Sequence, residues 1–497
     1  GASTTGVPGT PSAGAVVNFS SLGPSLDGRI KPDVVAPGVG LCSGLAEEAQ
    51  SPAGASCLSG NHAGGNAYYM TLSGTSQATA IASGVAGLTR EFIREQVGIA
   101  APSSALVKAA MINGARDLGT ADIPNAAEGW GEVDLERTVL PMDGTTVLDT
   151  FVDDKKSLSP GFGLLYSFSI DASHGLDMTL AWTDEAGSAI ASQTESRLVN
   201  DLDLVLIGPD GTEWLGNDFS QGYSTTGGTA DDLNNVERIR VAPGVLPAGT
   251  DNYIVKVMHR GGTAQDFALV LSAVATATPQ PDLAVFDGSI VLSSENPLKD
   301  DLISIRLAWV NQGTTSAAPF DIILEDVTTQ TVLATATRPT LAPGVIDSYT
   351  IFHQFATTGM HTLRLSVDTG GSVDEINDGS NGVNNNVWTQ DVEVMALGVR
   401  VVVENEDGTV PTTSEERAAN ALLTLDVRND SGIDVPLSIL HEGTGNQSVV
   451  LSATMVQVPV PGRDNFFLPS PDMWTRTFNE TTSFLLSPQG EAGANKS

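Results

Sequence analysis

A serine at the start of a helical pattern is the residue best placed to do chemistry in this chain. Residues 73–80 read Ser-Gly-Thr-Ser-Gln-Ala-Thr-Ala, and apolar residues recur with helical spacing from Gln77 to about Gln96. We therefore expect Gly74 and Thr75 to form the turn into a helix, with Ser76 in its first turn. The first backbone N–H groups of a helix lack partners within it, so they can stabilise an oxyanion formed beside Ser76. Taken by itself, Gly-Thr-Ser is also an ordinary helix cap.

The elements around this serine are predicted to be buried. Small residues within the helix leave little side-chain volume, so we expect it to run through the middle of a domain with sheet packed closely against it. These residues are Ala82, Gly84, Ala86 and Gly87. Residues 15–19 and 33–36 look like short buried strands, and Ser103 or Ser104 can cap a second helix that runs to about Arg116. Alternation of strands and helices predicts an α/β region.

Motifs on both sides of Ser76 carry a family resemblance. The upstream motifs are Asn-Phe-Ser-Ser-Leu-Gly-Pro at 18–24 and Asp-Gly-Arg-Ile-Lys-Pro-Asp-Val-Val-Ala-Pro-Gly at 27–38. The downstream motifs are Val-Lys-Ala-Ala-Met-Ile at 107–112 and Gly-Trp-Gly at 129–131. In this order the set resembles the C-terminal half of the subtilase (subtilisin-like serine peptidase) catalytic domain, which implies that Ser76 is the nucleophile. Ala80 stands where the family usually has proline, so we expect a changed first turn with the chemistry kept.

The same resemblance implies that the proton-transfer machinery lies elsewhere. In subtilases the histidine base, its orienting aspartate and the oxyanion asparagine all precede the serine, and the resemblance here begins past all three. Asp33 and His62 precede Ser76 in the expected order, but Asp33 matches a structural position and His62 lies in a Gly- and Ala-rich loop. We interpret His62 as a surface residue. The isolated chain is predicted to have negligible peptidase activity, with the missing groups supplied by an N-terminal fragment of the same precursor or by uncleaved upstream sequence.

Composition narrows the class of protein. The 497 residues are 41% hydrophobic and carry a formal net charge of −35, enough apolar content for several cores. Such an acidic chain is not suited to nucleic acid or to anionic membrane surfaces, and no apolar run approaches the length of a membrane span. The subtilase resemblance implies peptide or protein substrates and a secreted, extracellular or cell-surface location. Cys42 and Cys57 are the two cysteines; a disulfide is favoured for a secreted chain, and two inert thiols are the alternative.

From residue 142 the pattern changes to short alternating strands separated by Gly, Asp and Asn turns. This stretch resembles the jelly-roll barrel of one bacterial subtilase subgroup and is similar to the P-domain of proprotein convertases. The segments 182–184, 199–204, 216–219 and 234–237 are nearly identical to segments of that subgroup. The resemblance implies structural calcium in this barrel. The residues that could supply its carboxylate or amide oxygen ligands are Asn200, Asp201, Asp203, Asp218, Asp231 and Asp232. For any one of them, an ordinary turn role is the alternative.

Two further modules complete the expected architecture. An Ala-, Thr- and Pro-rich linker at 273–281 leads to a stretch that resembles the bacterial cell-adhesion-related domain (CARDB), an immunoglobulin-like sandwich. We predict a multidomain chain: 1–141, the partial subtilisin-like α/β domain; 142–276, the jelly-roll β-barrel; 280–395, the CARDB-type domain; and 396–497, a β-sandwich of unknown family.

The functional prediction is a secreted subtilisin-like serine endopeptidase that hydrolyses peptide bonds by acyl transfer. The alternative is a non-catalytic extracellular scaffold or adhesive protein, assembled through the edge strands of its β-modules.

Overall fold

The computed structural model describes residues 1–4, 14–44, 69–119, 121–247, 252–376 and 385–395, and the backbone of five strands beyond residue 396. Its helices are α1 (Thr75–Phe92), α2 (Ser104–Asn113) and α3 (Leu135–Val139), and a short π-helix at Ile93–Val97 continues α1. None of the helices within this described part is long and apolar enough to span a membrane.

The N-terminal region combines these helices with short strands. The strands are β1 (Ala2–Ser3), β2 (Ala36–Pro37), β3 (Leu41–Gly44) and β4 (Tyr69–Leu72). β1 and β2 pair in parallel, whereas β3 and β4 form an antiparallel ladder. Residues 15–19, predicted as a buried strand, form a single bridge from Val16 to Ser3 instead, and Phe19 is 49% exposed. The prediction of a strand there was wrong: among the described residues the run is only partly covered, with Val16 and Val17 half-buried.

The start of α2 agrees with its predicted cap. Ser103 has an extended backbone, and its hydroxyl accepts a hydrogen bond from the Leu106 N–H at 2.9 Å. This bond satisfies one of the free donors at the helix start. The Ser103 hydroxyl also donates to the carboxylate of Asp154 in the next module, so the cap is part of the contact between the two regions.

The second module is built from two antiparallel sheets. Its strands are β5 (Met142–Asp143), β6 (Thr146–Val147), β7 (Asp149–Leu158), β8 (Gly163–Ile170), β9 (Leu176–Trp182), β10 (Asp201–Ile207), β11 (Glu213–Ser220), β12 (Tyr223–Thr226), β13 (Val236–Val241), β14 (Tyr253–Gly261), β15 (Gln265–Ala273) and β16 (Ala275–Ala277). One sheet has the order β12-β11-β10-β14-β8-β16 and the other β13-β9-β15-β7. Their inner faces share one core that includes Phe168, Trp182, Leu204, Tyr253 and Phe267.

The predicted linker is part of this module. β16 lies within residues 273–281 and pairs with β8, with Ala275 opposite Ile170 and Ala277 opposite Phe168. The expectation of a separate linker was therefore wrong for its first half. Alternating Ala and Thr residues there form an additional edge strand of the six-stranded sheet, so the chain leaves the module from a fixed position.

α2 packs directly against the second module. Ala105, Leu106 and Ala109 share an apolar cluster with residues of β9, β13 and β15, among them Ala181, Val236 and Val270. Side-chain hydrogen bonds cross the same contact: Asn113 Nδ2 donates to Ser272 Oγ at 2.9 Å, and Thr179 Oγ1 donates to Asn113 Oδ1 at 3.0 Å. The helix that follows α1 is thus held by the second module.

The third module is a sandwich of two antiparallel sheets. Its strands are β17 (Leu283–Ala284), β18 (Ile290–Leu292), β19 (Ile303–Asn311), β20 (Phe320–Asp326), β21 (Thr331–Arg338), β22 (Ile346–His353), β23 (Gly359–Val367) and β24 (Val387–Val394). β17 and β18 follow one another along one edge of β19 while β22 pairs with its other edge, and the second sheet has the order β21-β20-β23-β24. Trp309, Phe320 and Leu363 lie in the core between the sheets.

The last region is described as strand backbone. Its strands are β25 (Leu397–Glu404), β26 (Leu422–Asn429), β27 (Val435–Glu442), β28 (Val450–Met455) and β29 (Thr482–Leu486). β25 pairs with β26, and β27 lies between β28 and β29. The sequence of this region predicts strands most clearly at 399–403 and 422–429, and these residues lie in β25 and β26.

Candidate active site

Ser76 lies in the first turn of α1 and is exposed to solvent. The residue before the helix, Gly74, has an extended backbone, and no side chain caps the helix start. The first turn also contains no acidic residue. The N–H groups at this end therefore remain available, and the positive end of the helix dipole acts on the Ser76 hydroxyl. This geometry suits stabilisation of an oxyanion next to a serine nucleophile.

Two backbone contacts hold the segment that leads into α1. Gly74 N–H donates to the carbonyl of Gly38 at 2.8 Å, and Gly40 N–H donates to Ser73 Oγ at 2.8 Å. The approach at Gly38 is so close that a Cβ atom there would stand 2.7 Å from Ala2 Cβ and 2.8 Å from the Gly74 carbonyl oxygen. The glycine of the Ala-Pro-Gly motif thus allows β2 to fix the backbone two residues before the serine.

α1 is buried on one face and open on the other. Ala78 and Thr89 are buried, and Ala78 packs with Ala2 and Ala36 of the short parallel sheet. Beside that face Ile81 is 39% and Leu88 50% exposed. Methyl groups placed at Gly84 or Gly87 would meet nothing within 4 Å. The expectation that this helix is enclosed by sheet was therefore wrong for the described residues, because nothing among them covers that face.

The described histidines lie far along the chain and have other partners. His174 contacts Asp143, His259 contacts the Thr263 carbonyl and His361 contacts Asp326. Within the described residues no hydrogen bond joins a histidine to Ser76. His62, Cys57 and the loop around them lie outside the described residues. Cys42 is disulfide-bonded.

Asp33 forms a charge cluster away from Ser76. Its carboxylate lies 2.7 Å from Lys31 Nζ and 3.1 Å from Lys108 Nζ. Burial opposes ionisation of Asp33, but the two ammonium groups outweigh it, and the pKa of this carboxyl is lowered. The arrangement ties the 27–38 segment to α2 and gives Asp33 no contact with a histidine among the described residues.

The residues predicted as calcium ligands differ in how far their side chains are already engaged by other partners. Asp201 and Asp203 lie at the start of β10, and Asp231 and Asp232 are close enough to act on the charge of Asp201. Asn200 is turned away: its amide nitrogen donates to Gln265 Oε1 at 2.8 Å, and its oxygen accepts from the Thr263 N–H. Asp231 is engaged as well, because its carboxylate accepts hydrogen bonds from Leu233 N–H, Asn234 and Asn217.

A residue that sequence reasoning missed, Glu237 on β13, belongs to this cluster. It is 1% exposed; one carboxylate oxygen accepts from the Leu204 N–H, and the other, Oε1, has no partner. Burial raises its pKa well above the usual range, and Asp203, Asp231 and Asp201 add to the rise. The glutamate is visible in the sequence as the last residue of the segment 234–237. Because side chains alternate between the two faces of a strand, the sequence does not show which acidic side chain faces inward.

Three buried oxygens without partners support a cation here. They are Asp201 Oδ1, Asp203 Oδ1 and Glu237 Oε1. Burial and the neighbouring carboxylates raise the pKa of Asp201 to about 6, the sign expected where like charges share a buried site. Arg260 pairs with the other oxygen of Asp203 and opposes this rise only in part. Oxygen-rich acidic sites of this kind suit Ca²⁺. Asp218 also has a buried oxygen without a partner, next to Gly228.

A tighter acidic group lies outside the predicted set. The carboxylate oxygens of Asp117, Asp122 and Glu128 all lie within 4.8 Å of one another. Asn125 Nδ2 donates to both Asp122 and Glu128, and the Leu118 N–H donates to the second Glu128 oxygen. Hydrogen bonds within the group hold Asp122 and Glu128 in place, and one buried oxygen of the group, Asp117 Oδ1, has no partner among the described residues.

Comparisons with known proteins agree with the geometry at Ser76. Residues 2–131 match the model of the subtilase family. Residues 280–389 match the model of the CARDB family. The subtilase match includes Ser76 and α1. This helix is therefore part of a region related to subtilisin-like proteases.

Curated relatives extend the same similarity. A protein of Dictyostelium discoideum named serine protease/ABC transporter B family protein tagA is 33% identical over 256 residues, which are 48% of this chain and 14% of that protein. The tagD protein of the same organism is 29% identical over 285 residues, 46% of this chain and 15% of that protein. The chain thus spans 14–15% of the length of these two relatives.

One similar solved structure is a CARDB domain from Pyrococcus furiosus, determined in complex with di-metal ions. It is 22% identical, with a TM-score of 0.20, and covers 23% of this chain and 90% of that domain.

Proposed function

We propose that this chain carries the nucleophile of a secreted subtilisin-like serine endopeptidase. Ser76 Oγ attacks the peptide carbonyl while a base takes its proton, and the Ser76 N–H donates to the oxyanion that forms. The C–N bond then breaks, the proton passes to the leaving amine, and water hydrolyses the acyl-enzyme to release the acid and restore the serine. The observation that carries the proposal is the exposed Ser76 at the uncapped start of an 18-residue helix. The disulfide-bonded Cys42 supports an oxidising, extracellular location.

The histidine base, its aspartate and the second oxyanion donor are supplied, in this proposal, by a subtilase segment outside residues 1–497. The open face of α1 supports this part, because Ile81 and Leu88 present apolar surface next to two glycines. A helix or strand can approach such a face closely. The edge of β1 is less open to pairing with an added strand, because Val16 already forms a β-bridge to Ser3 there.

Fluorophosphonate labelling tests the proposal. Residues 1–497 are treated with a fluorescent fluorophosphonate alone and after addition of the upstream segment of the same precursor, with Ser76→Ala as control. We expect strong labelling in the mixture, little with the chain alone and none with Ser76→Ala. Absence of labelling in the mixture contradicts the enzyme proposal. Strong labelling of the chain alone contradicts the need for a second segment.

We also propose that Ca²⁺ binds in the second module between β10 and β13, with Asp201, Asp203 and Glu237 as the central ligands. Asp232, whose charge acts on Asp201, and Asp218, which has a buried oxygen without a described partner, are the candidates for further ligands. The buried, unpartnered oxygens carry this proposal. A cation there removes the repulsion among the carboxylates and joins two strands from different sheets, so its role is structural.

A further inference from the structure

Arg260, an exposed residue on β14, forms an ion pair with a buried aspartate of the candidate calcium site. Its Nε–H donates to Asp203 Oδ2. The side chain of Asp203 is 3% exposed, whereas that of Arg260 is 54% exposed. The guanidinium is therefore the solvent-side partner of a carboxylate that is otherwise enclosed.

An irregularity in strand pairing brings Arg260 to this position. β10 and β14 form an antiparallel ladder in which Leu202 lies opposite His259. The neighbour of Leu202, Asp201, lies opposite Gly261, two residues along β14. Arg260 is thus the additional residue of a β-bulge, a feature that commonly re-aims a side chain. The bulge lies at the end of β10 that carries the two acids of the site.

One guanidinium does not balance the charge of this site. Asp201, Asp203 and Glu237 each have a buried oxygen with no partner among the described residues. The charge of Arg260 opposes the rise in the pKa of Asp201, but burial and the neighbouring carboxylates outweigh it. Because Ca²⁺ carries two charges and takes several oxygen ligands, it offsets more of the repulsion than Arg260 does.

The other basic residue of this strand is engaged elsewhere. Asp282 and Glu213 act on the charge of Lys256 more strongly than Asp203 does. Arg260 is therefore the cation most directly matched to Asp203, and it occupies one oxygen of a carboxylate that the metal also needs.

We propose that Arg260 is the counter-ion of this site in the metal-free state and that Ca²⁺ displaces it from Asp203. The inference rests on the calcium proposal made above. Without metal the guanidinium keeps Asp203 from being a buried charge with no partner, which is a costly state. With metal the same guanidinium competes for the carboxylate and repels the ion. By linkage, calcium binding and the Arg260–Asp203 contact weaken one another to the same extent.

Calorimetric titration of the full chain with CaCl₂ at pH 7.5 and low salt tests the proposal. Arg260→Gln should bind calcium about tenfold more tightly than the parent, because a nearby positive charge no longer repels the ion. Arg260→Lys keeps the charge and should bind nearly as the parent does. The matched control is Arg306→Gln, an exposed arginine on β19 of the third module. It changes the net charge equally and should leave the affinity unchanged.

Two further measurements follow the side chain and the fold. Modification of Arg260 by phenylglyoxal, mapped by mass spectrometry, should be several-fold faster in calcium than in chelator, whereas Arg306 in the same digest should react equally in both. Arg260→Gln should melt below the parent in chelator, because Asp203 loses its counter-charge. Saturating calcium should reduce this difference, since the ion then supplies the charge.

Equal calcium affinities of the parent and Arg260→Gln overturn the proposal, as does an equal gain in Arg306→Gln. Calcium binding that leaves the modification rate of Arg260 unchanged overturns the displacement. Absence of binding in the parent and in every variant contradicts the calcium proposal itself, and this one with it. Binding that is detected only in Arg260→Gln supports both, because the guanidinium then excludes the ion.

Discussion

Arg238 Nη2 and Asp177 Oδ1 lie 2.8 Å apart at the contact between the second module and α2, with the Arg238 side chain completely buried. The same nitrogen donates to the carbonyl of Asn113 at 3.1 Å, the last residue of α2. Burial lowers the pKa of Arg238, and Asp177 opposes this effect. One charged pair therefore anchors the end of a helix in the subtilase-related region to a sheet of the following module.

We expect Asp177→Ala to destabilise the chain strongly. Removal of the carboxylate leaves a buried guanidinium without a counter-charge, which costs about 3–5 kcal/mol in comparable cases. Urea denaturation measures the change in the free energy of unfolding. Asp287→Ala, an exposed aspartate of the third module, is the control and should change it by less than about 0.5 kcal/mol. Equal effects of the two changes contradict an anchoring role for the pair.

The calcium proposal predicts opposite effects of Glu237→Gln with and without metal. The neutral amide removes a buried like charge, so the metal-free variant should melt at or above the temperature of the metal-free parent at pH 7.5. Addition of Ca²⁺ should raise the melting temperature of the parent and leave the variant unchanged. Glu213→Gln, an exposed glutamate on β11, is the control and should respond as the parent does. If chelation leaves the parent unaffected, the site does not bind calcium.

The raised pKa of Asp201 predicts how stability depends on pH. An unfolded aspartate titrates near pH 4, whereas in the folded chain the pKa of Asp201 is about 6. The folded state thus binds the proton more tightly, so stability of the metal-free protein should fall as pH rises from 4 to 6. Urea midpoints across this range in chelator measure the slope. Asp201→Asn should flatten it, and an unchanged slope in that variant assigns the effect to other groups.

The open face of α1 predicts a gain of stability together with a loss of assembly. Gly84→Ala and Gly87→Ala place methyl groups in open space within a helix, and each should stabilise the isolated chain by about 0.5–1 kcal/mol. The same methyl groups should hinder the upstream segment and reduce fluorophosphonate labelling in the mixture. Thermal denaturation and labelling are measured on the same samples. Full labelling of the stabilised double variant contradicts docking on this face.

Local patterns predicted local structure well. The cap at Ser103 and the helix after Gly74 follow from spacing and residue type, since each depends on neighbours in sequence. The hydroxyl at Ser76 was placed correctly in the first turn for the same reason. Residues 15–19 show the limit of this reasoning, because an apolar run becomes a strand only where another layer covers it.

The parts that sequence did not predict depend on partners distant in the chain. Glu237 faces the acids of β10, 34–36 residues earlier, and Arg238 reaches Asn113 across a module boundary. Adjacent residues of one strand thus lie in different environments. Alternation along the strand predicts that the two environments differ, but it does not tell which residue lies in which. Asn200 was taken as a ligand because of its neighbours, although its side chain bonds to Gln265 and Thr263.

The pairing of β16 with β8 has a consequence for geometry over long range. Because β16, between the second and third modules, is part of a sheet, this stretch does not act as a flexible linker. The third module therefore has a set orientation relative to Ser76, fixed through the sheet and then through α2. A molecule bound by that module would be presented to Ser76 from one direction and at one distance.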